Sequence, residues 1–171
     1  MKLFFPAVIF LSIALGVSLN SCQNESYTAL SYHDSLVTEQ VKISQAISVL
    51  NAALETFYEE DMNKAYALLG KQLEKSNQKL SSMPPFKGDE VFLNATKILV
   101  DEHSKLYSVE YKQSIDLLLL PDSLFLDEQE LMVNELLRQI DAKLEKIISD
   151  YSKAEQNFSQ KYDLAKKQGS L

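Results

Sequence analysis

The sequence predicts an all-α protein, an antiparallel up-down-up-down four-helix bundle. Three observations lead there. The chain holds only 4 Gly and 4 Pro in 171 residues, too few turn formers for a fold of many short strands. Apolar residues recur in alternating steps of three and four along four separate stretches, the spacing of one helix face. The connections between those stretches are short, which makes consecutive helices antiparallel neighbours. A hydrophobic content of 46% with 24% charged residues supplies enough apolar surface for one core and excludes wholesale disorder.

The first helix is expected over 34–58, with Leu36, Gln40, Ile43, Ile47, Leu50, Leu54 and Phe57 on its stripe. Ser31 and Asp34 have capping-box spacing, so its start could lie a turn earlier. The second is expected over 61–82, with Met62, Tyr66, Leu69, Leu73, Ser76, Leu80 and Met83. Between the two, the stripe slips by five residues and Asp61 can cap a helix, which argues for a turn. With no Gly or Pro there, a single long helix is the competing reading. Met83-Pro84-Pro85-Phe86-Lys87-Gly88 is a firm stop, because two prolines cannot continue a helix. Asp89-Glu90 then opens a third helix at its positive end, reaching Leu119 before Pro121, on a stripe of Phe92, Ala95, Leu99, Glu102, Leu106, Val109 and Gln113. The fourth follows Asp127-Glu128-Gln129-Glu130 and reaches Lys167, where Lys166-Lys167 suits the negative end of the dipole. Its stripe of Val133, Leu137, Ile140, Leu144, Ile147, Tyr151, Ala154 and Phe158 has no polar member. At ~1.5 Å per residue a helix of that length is expected to outrun the others. Leu124, Phe125 and Leu126 in the last connection are expected to pack over one end.

The N-terminus carries an address. Met1-Lys2 is a short basic start, 3–17 is an apolar run, and Leu19-Asn20-Ser21-Cys22 follows. That order marks a secretory signal peptide, and the run is shorter than the ~20 residues a membrane-spanning helix needs. Cys22 is the only cysteine, so no internal disulfide is open to it. Leu19-Asn20-Ser21-Cys22 resembles the lipobox of bacterial lipoproteins. The resemblance implies a diacylglycerol on the Cys22 sulfur, cleavage before Cys22 and acylation, such as palmitate, of the new N-terminus. Two or more chains at ~0.8 kcal/mol per buried CH₂ anchor a protein stably. Gln23, where Asp would retain a lipoprotein at the inner membrane, implies the outer membrane by the same resemblance. The expected organisation is a signal peptide at 1–21, a lipidated tether at 22–30 and the bundle at 31–171.

Composition and motifs exclude much chemistry. The net charge is −7, and a chain starting at Cys22 carries 16 Lys+Arg against 24 Asp+Glu, a net −8. Nucleic acid as a partner is excluded, since it calls for a basic face. The two histidines, His33 and His103, have Leu30 and Val100 three residues before them, so no di-iron Glu-x-x-His pair exists. Zinc-protease, haem-attachment and phosphate-loop motifs are absent too, and no cofactor is expected. No catalytic set stands out. Gln40 and Ser76 interrupt apolar stripes at matching heights and are expected to hydrogen-bond across helices one and two, or to line a small polar pocket. Asp101-Glu102-His103 could attract a divalent ion, but neighbours on a helix point about 100° apart, so a polar edge is the simpler expectation. Tyr107 and Tyr111 form a strip, read as core or bundle edge.

The chain resembles a family of small, all-helical bacterial surface lipoproteins of no established activity. The resemblance rests on Tyr32-His33-Asp34-Ser35, Phe86-Lys87-Gly88-Asp89, Ala154-Glu155-Gln156-Asn157-Phe158 and Lys161-Tyr162. It implies a lipid-anchored helical domain and nothing about chemistry. The expected function is therefore a non-catalytic envelope module at the outer membrane, facing the periplasm or the outside. Its expected partner is an envelope protein or the cell wall. The candidate partner surface is Phe158, Tyr162 and Leu164 on the overhanging fourth helix, and intramolecular cover of those side chains would remove it. The alternative is a periplasmic small-ligand or metal carrier, with a pocket between the helices near Glu102, Gln113 or Gln40.

Overall fold

A computed structural model describes residues 21–164, with side chains from Thr28 onward. The expected signal segment at 1–21 lies outside the described residues except for the main chain of Ser21, and so do the Cys22 side chain and Lys166-Lys167. Among the described residues there is no strand. The helices are α1 Ser21–Leu54, α2 Glu59–Ser82, α3 Val91–Leu106, α4 Lys112–Leu118 and α5 Asp127–Lys161. A π turn at Tyr107–Tyr111 joins α3 to α4 with helical dihedrals at both junctions, so the two form one rod. Four rods thus pack around one core: α1 on α2, α2 on α3, and α5 on α3 and α4. Cross-links between neighbours run antiparallel. Ser76 and Lys79 of α2 reach Glu39 and Ser35 of α1, while Lys143 and Lys161 of α5 reach Glu110 and Asp89.

Helices one and two are separate. The chain between them holds Phe57 at φ 56, the left-handed conformation that ends helices, and Thr56 N–H returns to the Ala53 carbonyl at 3.1 Å. This lifts Phe57 off the stripe and into solvent. α2 then starts at Glu59, two residues before the expected cap, with Glu59, Glu60 and Asp61 at its positive end.

α1 begins far earlier than expected. The stretch read as a tether, 22–30, is helical, and Ala29 is fully buried. Ala29, Tyr32, Leu36 and Ile43 continue one stripe backwards, so the helix gains burial by extending. The 34-residue α1 now matches the 35-residue α5, and α5 does not outrun it.

The Phe86-Lys87-Gly88-Asp89 stop closes as a tight turn. Lys87 at φ 50 and Gly88 at φ 80 are both left-handed, the two-residue pattern of a type I′ turn, and Asp89 N–H bonds the Phe86 carbonyl at 2.8 Å. Asp89 Oδ1 then accepts from Val91 N–H at 3.2 Å and helps start α3. At the other end of the bundle, Leu124 and Leu126 are exposed rather than packed over the core, and only Phe125 is half-buried. Leu124 and Phe125 N–H both bond the Pro121 carbonyl, and so tight a turn cannot aim three consecutive side chains inward.

Candidate functional site

At the end where α1 begins, three stretches far apart in sequence meet. Phe158 of α5 lies against Tyr32, His33, Phe86, Phe92 and Tyr162, with ring centroids 4.7–6.4 Å apart. Tyr32 Oη donates to the Pro84 carbonyl at 3.1 Å, and His33 Nε2 lies 3.2 Å from Glu155 Oε1. Lys161 Nζ bonds Asp89 Oδ2 at 2.7 Å and holds that carboxyl below its ordinary range. The candidate partner surface is corrected here: Phe158 and Leu164 are buried and Tyr162 is half-buried. Tyr32 and His33 of α1, with Phe86 and Phe92, cover Phe158.

The interior polar groups are shifted by one residue from their expected places. Glu39, not Gln40, enters the core. Its Oε2 accepts from Ser76 Oγ at 2.8 Å, and its Oε1 accepts from Lys79 at 2.9 Å and Lys42 at 3.1 Å. Burial pushes the Glu39 carboxyl up, but the three donors together outweigh it and leave it below its ordinary range. Gln40 bonds Ser44 on its own helix. The cause is lateral: α1 leans on α2 far more than on α5, which turns its buried face toward α2.

The third rod shows a related shift. Glu102 is half-exposed and pairs with Lys105, whereas His103 is buried with no hydrogen-bond partner at Nδ1, and burial pushes its pKa down to about 4. Beyond it, the π turn adds a residue to the stripe, so Glu110 and Ser114 face inward where Val109 and Gln113 were expected. Tyr107 stacks on Tyr66 at 4.1 Å, and Tyr66 Oη donates to the Tyr107 carbonyl at 3.1 Å. Tyr111 is buried, and burial reinforced by Asp141 pushes its hydroxyl up to about 12.

The far end, opposite the start of α1, carries the open surface. A groove of about 620 Å³ runs between the last turns of α1 and the first half of α5. Leu54, Tyr111, Val133, Leu137 and Ile140 give it an apolar floor, and Glu55, Glu130 and Asp141 stand among its lining. At the same end Phe57, Tyr58, Leu124, Leu126, Leu131 and Met132 are exposed, Tyr58 by 71% and Leu131 by 70%; Phe57 lines this groove, and Leu131 and Met132 line the neighbouring one beside Gln113. The expected pocket near Gln40 is replaced by the Glu39 cluster. Grooves of about 640 and 550 Å³ also lie beside Gln113 and Glu102, between the third rod and α5. The sequence held one signal of the far-end surface: Leu131 and Met132 sit off the α5 stripe.

Among the described residues no group of three or more His, Cys, Asp or Glu side chains could hold a metal ion. No helix among them is long and apolar enough to cross a membrane. Compared with protein-family models, curated proteins and solved structures, the chain matches none of them.

Proposed function

We propose that the protein is a non-catalytic binding module of the bacterial cell envelope, anchored to the outer membrane by lipid on Cys22. The observation that carries this reading is the division of labour between its two ends. The end nearest Cys22 is sealed by aromatic packing, and the far end exposes apolar side chains around a groove. Clustered exposed apolar surface marks interaction sites in soluble domains. A lipid anchor at one end and a docking surface at the other suits a protein that holds a partner away from the membrane. The resemblance of Leu19-Asn20-Ser21-Cys22 to a lipobox supports the anchor. The same groove also serves the alternative, a periplasmic small-ligand carrier, and the two separate by what occupies it.

The test is a crosslinking pull-down from intact cells using the native protein, Cys22→Ala, and Leu131→Glu/Met132→Glu. The expected result is one specific protein captured by the native form and lost in the far-end variant, with Cys22→Ala released from the membrane. Capture that survives the far-end variant overturns the assignment of the surface. A protein that stays membrane-bound without Cys22 overturns the anchor.

A further inference from the structure

We infer that the groove between α1 and α5 takes a basic amphipathic helix from a partner protein; this deepens the binding-module reading above and rests on it. Shape is the first argument. The α5 wall runs from Glu130 to Asp141 and spans about 16 Å at 1.5 Å per residue, three turns of a helix. Two antiparallel helices with an apolar floor between them leave the seat a further helix fills, with anchors at i, i+3 or i+4 and i+7. Two helices already frame the slot from Leu54 to Ile140, and Tyr111 from the third rod closes its base.

Charge is the second argument. Glu55, Glu130 and Asp141 line the groove, and no Lys or Arg does. None of the three carboxylates forms an ion pair among the described residues. Acidic side chains nearby are already matched: Glu135 with Arg138, Asp116 with Lys112, and Glu110 with Lys143. The unmatched three flank an apolar floor, the complement of a Leu stripe bordered by Lys or Arg.

Other occupants fit worse. A second copy carries a net charge of −7 and would bring its own acidic far end to this one. The chain's basic C-terminal stretch, with Lys166 and Lys167, starts at the opposite end of the bundle. Anionic ligands meet three carboxylates.

The experiment is fluorescence anisotropy on the full chain with two labelled synthetic helices. One has a Leu stripe flanked by Lys, and its twin has Glu at every Lys position. The basic helix is expected to bind, with the acidic twin weaker by about tenfold or more. Raising salt from about 50 to about 500 mM should weaken the basic helix alone. Glu130→Gln/Asp141→Asn, which leaves the fold's ion pairs intact, should weaken the basic helix about tenfold and strengthen the acidic twin, so that the difference between the two shrinks. Equal binding of both helices would overturn the charge selection and leave the binding-module reading standing. Dodecylamine saturating the groove while the basic helix fails would replace the helix with a small cationic amphiphile. Binding of none of the probes would overturn the inference alone, since the pull-down reads the binding module separately.

Discussion

Ser76 Oγ donates a 2.8 Å hydrogen bond to Oε2 of Glu39, and together with Lys79, which reaches Oε1 of the same carboxylate, it ties α2 to α1 in register. Glu39 is 2% exposed, so the acceptor has no water to fall back on. Ser76→Ala should therefore cost about 1–3 kcal/mol, the cost of an unpaired buried acceptor. Glu39→Leu/Ser76→Ala should cost less than Ser76→Ala alone, because both polar groups leave together while Lys42 and Lys79, about half exposed, return to water. Urea midpoints of the two variants check the order, and a double variant weaker than the single would refute it.

Gly70 faces the Tyr107 ring so closely that a β-carbon there would overlap the Tyr107 hydroxyl and sit 2.7 Å from Cζ. The ring cannot swing away without leaving its stack on Tyr66. Alanine at a helical glycine ordinarily gains about 1 kcal/mol. Here Gly70→Ala should instead lose about 1–3 kcal/mol through overpacking. In a Tyr107→Leu background the sign should reverse, and Gly70→Ala should stabilise by about 1 kcal/mol. Thermal melts of the four proteins test this, and a destabilising Gly70→Ala in both backgrounds would place the clash elsewhere.

These two contacts show where the sequence is legible and where it is not. The four rods, the stop at Pro84-Pro85 and most of the α5 stripe follow from spacing alone, because a three-four alternation has one structural solution over long stretches. The spacing puts Ser76 in the interior, where it lies, but points to Gln40 as its partner, and the partner is Glu39. Positions 39 and 40 both lie near the stripe between Leu36 and Ile43, and which one turns inward depends on the neighbour that α1 leans on. The π turn was invisible for a similar reason: nothing in Tyr107–Tyr111 announces an extra residue, and Tyr66 reaching the Tyr107 carbonyl is a tertiary contact. The helical start of α1 was masked by polar Gln23, Asn24 and Ser26, although Ala29 was a stripe member in plain view.

Phe158 tests the correction at the sealed end. It is 3% exposed and touches five other rings. Phe158→Ala should cost about 3–5 kcal/mol in the isolated protein, as large core truncations do. A docking side chain would cost almost nothing without its partner. Denaturation of the purified variant separates the two, and a loss below about 1 kcal/mol would return Phe158 to the surface.

His103 gives the fold an acid-side weakness with a definite sign. The buried ring resists protonation, with a pKa pushed down to about 4, while in the unfolded chain it titrates near 6.5. Above pH 6.5 both states are neutral and the ring contributes no pH dependence. As pH falls from 6.5 to 4 the unfolded chain takes a proton that the folded one refuses, so stability drops, and below 4 the loss is constant. By pH 5 the loss amounts to about 2 kcal/mol, or roughly 4–8 °C in Tm for a chain of this size. Asp89, held low by Lys161, adds its own loss only as pH falls toward its folded pKa. His103→Leu isolates the histidine: its Tm should stay nearly flat from pH 7.5 to 5 while that of the native protein falls, and the two curves should run parallel below pH 4. Parallel curves across the whole range would mean that the buried ring accepts its proton as readily as a solvated one.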